Sequence, residues 1–171
     1  SMPAVRLSAH MAAVKAVAWV PWQRSTLATG GGAKDGCIRL WNVGSACHGS
    51  NSIAMVPTGC QVCSITFCAQ SRELISAHGY RDNSVVLWKC PSLVKVAELT
   101  GHTKRVLHMA QSPDGTTIVT GSADETLRFW SLVGKEQVWQ SADERSRLWV
   151  PHASGVALSN VCPGVESATL R

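Results

Sequence analysis

Three sets of residues in this 171-residue chain have types and spacings suited to chemistry. The first joins His, a hydroxyl and an acid. It occurs as His10, Thr29 and Asp35, and again as His102, Thr120 or Ser122, and Asp124. Such trios serve nucleophilic catalysis when base, hydroxyl and carboxylate meet. The second is Cys60-Gln-Val-Cys63, with Cys68 close behind, which has the CxxC spacing of zinc sites. A structural zinc needs four ligands, and no second pair follows at knuckle spacing. Cys63 also falls in a strand of period 2, so Cys60 and Cys63 are expected to point apart and pack in the core. The third is the glycine run from Thr29 to Lys34. It lacks GxxxxGK[ST] and precedes a strand rather than a helix, so a tight turn is expected there instead of a phosphate cradle.

The first set reads differently once the elements that position it are considered. Each trio belongs to a repeat. Asp35-Gly-Cys-Ile38-Arg-Leu40-Trp41, Asp82-Asn-Ser-Val85-Val-Leu87-Trp88 and Asp124-Glu-Thr-Leu127-Arg-Phe129-Trp130 share one pattern. Asp stands six residues before Trp, with apolar residues between at fixed offsets. The Trp residues are 47 and 42 apart, close to the ~40–45 period of WD repeats. Upstream, Val14–Trp19, Val62–Phe67 and Val106–Ala110 align, as do Leu27–Gly30, Leu74–Ala77 and Ile118–Gly121. Fourth segments follow at Ile53–Val56, Val94–Leu99 and Gln137–Gln140, with an early one at Val5–Leu7. Gly, Pro, Asp and Asn turns separate them.

Four short antiparallel strands per unit make a propeller blade. The chain resembles WD-repeat proteins over about residues 5–140, so the expected fold is all-β, a β-propeller fragment of three blades. The units are 5–47, 48–92 and 93–133, after a leader at 1–4 that looks like a protease-cleavage remnant. In that family His, hydroxyl, Asp and the Trp N–H form a buried structural chain, so His10, Thr29, Asp35 and Trp41 carry architecture. So do His102, Asp124 and Trp130. The second unit keeps Asp82 and Trp88 but no Gly-His, which predicts an incomplete network there.

Composition bounds the rest. Apolar content of 45% and charged content of 16% fit a folded chain. Seven Trp against two Phe fit a repeated structural role. The net charge is +5, and the surplus lies before residue 134, a mild bias towards acidic partners rather than nucleic acid. No apolar run reaches the ~18 residues of a membrane helix. Seven irregularly spaced Cys favour a reducing, intracellular setting. No cofactor, metal, nucleic acid or membrane contact is expected.

A closer resemblance rests on residues outside the general WD pattern. Val14–Gln23, Leu27–Gly32, Ile38–Val43, Gln61–Ile65, Glu73–Gly79, Lys95–Leu107, Ser112–Gly115 and Ala123–Arg128 are similar to the Fizzy and Fizzy-related family. These are the co-activators of the anaphase-promoting complex. The resemblance implies the last three blades of a seven-bladed propeller, and an adaptor rather than an enzyme. It implies binding of Lys-Glu-Asn and destruction-box degradation signals in substrates, in the nucleus and cytoplasm, with checkpoint inhibitors as further partners. The position before each inner strand (Ala13, Gln61, Arg105) faces the tripeptide site. Gln61 would bond its amides and Arg105 its Glu, while Ala33 falls where relatives often carry a contacting Thr. Glu125 would take the Arg of the destruction box. On the residues alone, Arg105 also fits a solvated cation and Glu125 an ordinary turn residue. A generic WD scaffold without signal recognition is the alternative.

Past Val133 the chain departs from the family. Ser141-Ala-Asp-Glu144 reads as a capping box of a short helix before Pro151. The terminal Leu170-Arg171 resembles the family's Ile-Arg docking tail, and also fits a chance ending. Closed propellers have ~4–8 blades, so three predict exposed edges and self-association, or membership of a larger propeller.

Overall fold

A computed structural model describes residues 6–44 and 52–132. It contains eleven strands and no α-helix among the described residues. The first sheet is β1 (Val14–Trp19), β2 (Thr26–Gly31), β3 (Cys37–Asn42) and β4 (Ala54–Pro57), in that spatial order. The second is β5 (Gln61–Cys68), β6 (Glu73–Gly79), β7 (Val85–Lys89) and β8 (Val94–Leu99). The third is β9 (Val106–Gln111), β10 (Thr117–Ser122) and β11 (Leu127–Ser131). All neighbours are antiparallel.

Sheets and sequence repeats are offset. Ala54–Pro57 opens the second unit yet closes the first sheet on β3, and Val94–Leu99 likewise completes the second sheet. The second and third units therefore each lend their first strand to the previous blade. Of the expected early strand at Val5–Leu7, Arg6 and Leu7 lie outside any strand, and Val5 lies outside the described residues. The segments at Gln137–Gln140 and Ser141–Glu144 lie outside the described residues.

The blades stack face to face, and the burial pattern follows from position in the stack. Strand β6 is buried along its whole length, because blades cover both faces of the second sheet. Such strands read as continuous apolar runs. One core joins Ala28, Ile38 and Leu40 of the first blade to Ile65, Phe67, Leu74 and Trp88 of the second. Trp22, in the β1–β2 turn, adds an edge-on contact to Phe67 at 5.5 Å between ring centroids. A second core joins Ile75, Ala77, Val85 and Leu87 to Val106, Ile118 and Trp130 of the third blade.

The glycine run is explained by close approach. A Cβ on Gly30 would stand 2.5 Å from Cγ1 of Val62, and one on Gly31 would stand 1.9 Å from the Asp35 carboxylate. Gly30 is thus the hole into which the next blade's Val62 fits. Val62 is fully buried and branched, and cannot swing away. Gly30→Ala is expected to destabilise the chain by ~2 kcal/mol through overpacking. Urea denaturation would check this; an unchanged midpoint would contradict the packing.

Candidate functional site

The His–hydroxyl–acid sets form closed chains of hydrogen bonds. In the first blade His10 Nδ1 is 2.7 Å from the Asp35 carboxylate and Nε2 is 2.6 Å from Thr29 Oγ1. Trp41 Nε1–H donates to the same hydroxyl at 2.7 Å. The third blade repeats this with His102, Asp124, Thr120 and Trp130, at 2.8–2.9 Å. Thr120 fills the hydroxyl position. Ser122 instead caps the Lys104 and Arg105 carbonyls at 2.9 and 3.0 Å. Burial raises the Asp35 carboxyl, but the Met11 N–H and His10 outweigh it and leave it below its ordinary value. Asp124 is likewise held well below: burial raises it, and bonds from Thr126, His102 and the Thr103 N–H prevail.

The second blade overturns the expectation of an incomplete network. His78, from β6, replaces the missing histidine from the opposite side. Its Nε2 lies 2.7 Å from Ser76 Oγ, which accepts the Trp88 Nε1–H at 2.7 Å. Its Nδ1 lies 3.4 Å from Cys60 Sγ, and Cys60 occupies the place of the absent Gly-His imidazole. Asp82 is exposed in the β6–β7 loop beside them, where it acts on Cys60 through its charge. Burial first, then Asp82, pushes the Cys60 thiol up to about 11. The signal was legible: Ser76 and His78 are two apart in one strand, and so share a face.

These hydroxyls cannot act as nucleophiles. Ser76 and Thr120 are fully buried and Thr29 nearly so, and each already accepts a tryptophan N–H. Cys60 Sγ lies against the His78 ring and Cys63 Sγ against Gln61 and Gly79, and both are free thiols. Among the described residues no cluster of His, Cys, Asp or Glu is placed to hold a metal.

Half-buried Gln61 and exposed Ala13 and Arg105 stand where the inner strands begin. Gln61 starts β5, and its Nε2–H reaches Cys63 Sγ at 3.6 Å. Cys63 and Arg105 Cβ both press on Gly79, where an added Cβ would meet them at 3.1 and 2.8 Å. Gln61 and Arg105 are therefore brought together around one cysteine. The Arg105 guanidinium donates to Tyr80 Oη at 2.5 Å and lies 5.3 Å from that ring's centroid. Tyr80 is largely exposed and was not singled out from the sequence, although it stands at the same offset from Asp82 and Trp88 as Ala33 does from Asp35 and Trp41. It pre-orients the cation and adds a cation–π contact. Ala13 is exposed and its carbonyl accepts the Gly32 N–H at 2.8 Å. Ala33 is exposed in the β2–β3 turn, and its methyl offers neither donor nor acceptor. Glu125 is exposed at positive φ in the β10–β11 turn. It lines a shallow depression of about 360 Å³ on the outer face of the third blade, with Ala110, Val119 and Leu127. The turn that carries Glu125 is tied to the Arg105 carbonyl through Ala123 N–H and Ser122 Oγ. Leu170 and Arg171 lie outside the described residues.

Stacked antiparallel blades, each braced by a buried Trp–hydroxyl–His chain, define a WD-repeat propeller protein. The family model described as WD domain, G-beta repeat matches residues 2–42 and 93–131. The chain carries WD repeats and, over most of its length, is about half identical to proteins named for cell division cycle 20 and Fizzy-related. It is 51% identical over 137 residues to "Cell division cycle 20.1, cofactor of APC complex" of Arabidopsis thaliana, covering 80% of this chain and 29% of that protein. It is 55% identical over 130 residues to "B-type cell cycle switch protein ccs52B" of Medicago truncatula, covering 76% and 26%. "Anaphase-promoting complex subunit cdc20" of Dictyostelium discoideum is 51% identical over 85% of this chain and 28% of its own length. The chain thus spans less than a third of these curated relatives. A chain in the crystal structure of the mitotic checkpoint complex superposes with a TM-score of 0.72 at 40% identity, over 77% of this chain and 40% of that one.

Proposed function

We propose that this chain is the signal-reading part of a co-activator of the anaphase-promoting complex, an adaptor that works by binding rather than catalysis. The observation that carries it is the pairing of Gln61 with Arg105, its guanidinium aimed by Tyr80, at the start of adjacent inner strands. A fixed cation and an amide at the starts of adjacent inner strands suit a short peptide with a carboxylate, such as Lys-Glu-Asn. Relatives that are named as cofactors of this complex at about half identity support the reading. Glu125, on the outer face of the third blade, suits the Arg of a destruction box. Substrates, subunits of the complex and checkpoint inhibitors would be the partners, in nucleus and cytoplasm, with Leu170-Arg171 as a docking tail.

The test is anisotropy of a labelled Lys-Glu-Asn peptide on the chain. Arg105→Ala is expected to weaken binding about tenfold or more, the scale of a lost charge-assisted hydrogen bond. Equal binding by wild type and variant would remove the assignment. Ala33 favours a second reading, a WD scaffold that no longer reads such signals; it expects no peptide binding at all.

A further inference from the structure

The Tyr80 ring adds nothing to either core. It is 66% exposed and belongs to neither cluster of buried side chains. Its backbone is nonetheless held at φ +70°, a left-handed conformation that a bulky residue adopts only at a cost. Strain of this kind persists where the surrounding structure fixes a side chain for a task. The loop is tied down on both sides. Arg81 N–H donates to the Gly79 carbonyl at 3.0 Å, and Asn83 Nδ2–H reaches the Thr103 carbonyl, ahead of β9, at 3.3 Å. Gly79 leaves the space into which Arg105 Cβ packs, since an added Cβ would stand 2.8 Å from it. The Arg105 carbonyl is fixed as well, by the Ala123 N–H and Ser122 Oγ, each at 3.0 Å. Tyrosine and arginine therefore project from two anchored segments of neighbouring blades.

The direction of their hydrogen bond leaves donors to spare. Arg105 donates to Tyr80 Oη at 2.5 Å, so the phenol serves there as the acceptor. Its own O–H hydrogen is left over and meets no acceptor among the described residues. A guanidinium carries five N–H donors, and among the described residues no carboxylate pairs with Arg105. The bond from a cation also polarises the phenol and strengthens its O–H as a donor. Two kinds of donor thus stand side by side, open to solvent and without an anion.

We propose that Tyr80 is a second donor to the carboxylate of the bound signal, so that its O–H and the Arg105 guanidinium form a clamp that selects Glu over Gln. This rests on the peptide-reading function proposed above. A carboxylate has two oxygens and only accepts, so it satisfies both donors at once. A carboxamide has one oxygen, and its NH2 turns a donor towards whichever partner is left. Arg105 alone favours the acid through charge; Tyr80 adds a requirement of geometry. The ring, 5.3 Å from the guanidinium carbon, supports the cation with or without the hydroxyl.

The experiment compares two labelled peptides, one with Lys-Glu-Asn and one with Gln in place of Glu, on the wild-type chain and on Tyr80→Phe. Phe keeps the ring beside the cation and, at so exposed a position, leaves folding intact. The wild type is expected to prefer the Glu peptide about a hundredfold, the scale of two charge-assisted hydrogen bonds. Tyr80→Phe should weaken the Glu peptide about tenfold and change the Gln peptide by less than about twofold. A second readout separates contact from support. Tyr80 is the only tyrosine of this chain, so the NMR signal of a Cζ-labelled tyrosine reports on it directly. That signal should move as the Glu peptide saturates the site and stay in place with the Gln peptide. Unchanged affinity of Tyr80→Phe for the Glu peptide would overturn the proposal. So would equal weakening of both peptides, or a Cζ signal indifferent to the Glu peptide, either of which reduces Tyr80 to a support for Arg105. A wild type that binds neither peptide would instead remove the peptide-reading function itself, and the clamp with it.

Discussion

Thr120→Val is expected to destabilise the chain by about 3 kcal/mol, although it changes no volume. The Thr120 hydroxyl is fully buried and holds two partners at 2.8 Å, the Trp130 N–H and His102 Nε2. With the imidazole neutral, the chain runs one way. Trp130 donates to Thr120, Thr120 donates to His102, and His102 Nδ1–H donates to Asp124. Valine keeps the shape but ends the relay in its middle. A buried indole N–H and an imidazole nitrogen are then left without partners, each at about 1–3 kcal/mol. Thr120→Ser keeps the hydroxyl and loses one methyl, at about 1 kcal/mol. Urea denaturation of both variants at neutral pH is the measurement. Equal losses would mean that packing, not the hydrogen bonds, makes this position matter.

The second expectation concerns the rebuilt network of the middle blade. Stability should fall by about 2 kcal/mol between pH 7 and pH 5, and His78 should be the cause. In the other two blades the imidazole faces a carboxylate; here it faces a neutral thiol. Burial first, then the positive charge of Lys95, hold His78 down to about 4, against Glu98 and Asp82, which raise it. In the unfolded chain it titrates near 6.5. Because the folded value is the lower one, the unfolded chain takes up the proton first as pH falls. Native stability is fully present above about 6.5 and declines below it. The decline ends near pH 4 at about 3 kcal/mol in total, once both states are protonated. Asp35 and Asp124 are also held below their ordinary values, which already lie in the acid range, so their contribution is lost only in stronger acid. The window from pH 6.5 to 5 therefore isolates the histidine. His78→Gln should abolish the slope in that window. A flat wild-type profile from pH 7 to 5 would show that the imidazole accepts its charge where it stands.

The two networks differ in how far they could be read in advance. Gly-His at 101–102, Asp124 and Trp130 stand at fixed offsets, so the third blade was legible. In the middle blade the same task falls to Ser76 and His78 on β6 and to Cys60 before β5. The alternation of β6 already placed Ser76 and His78 on one face. What was missing was the pairing across strands that brings the Cys60 thiol to that ring. The peptide-facing pair shows the same limit. Gln61 and Arg105 were singled out one at a time, by register with the strands they precede. That they meet around Cys63, and that Tyr80 aims the guanidinium, needed neighbouring blades in place.

By itself the sequence determined the strand order, the three blades and the family. Those depend on short-range alternation and on spacings repeated along the chain. The tertiary structure decided which strands share a sheet, since the second and third units each lend their first strand to the blade before them. It also decided which apolar faces are covered. Val85 and Phe129 look alike as strand residues. One is buried only because another blade lies against it, and the other is open because none of the described residues does.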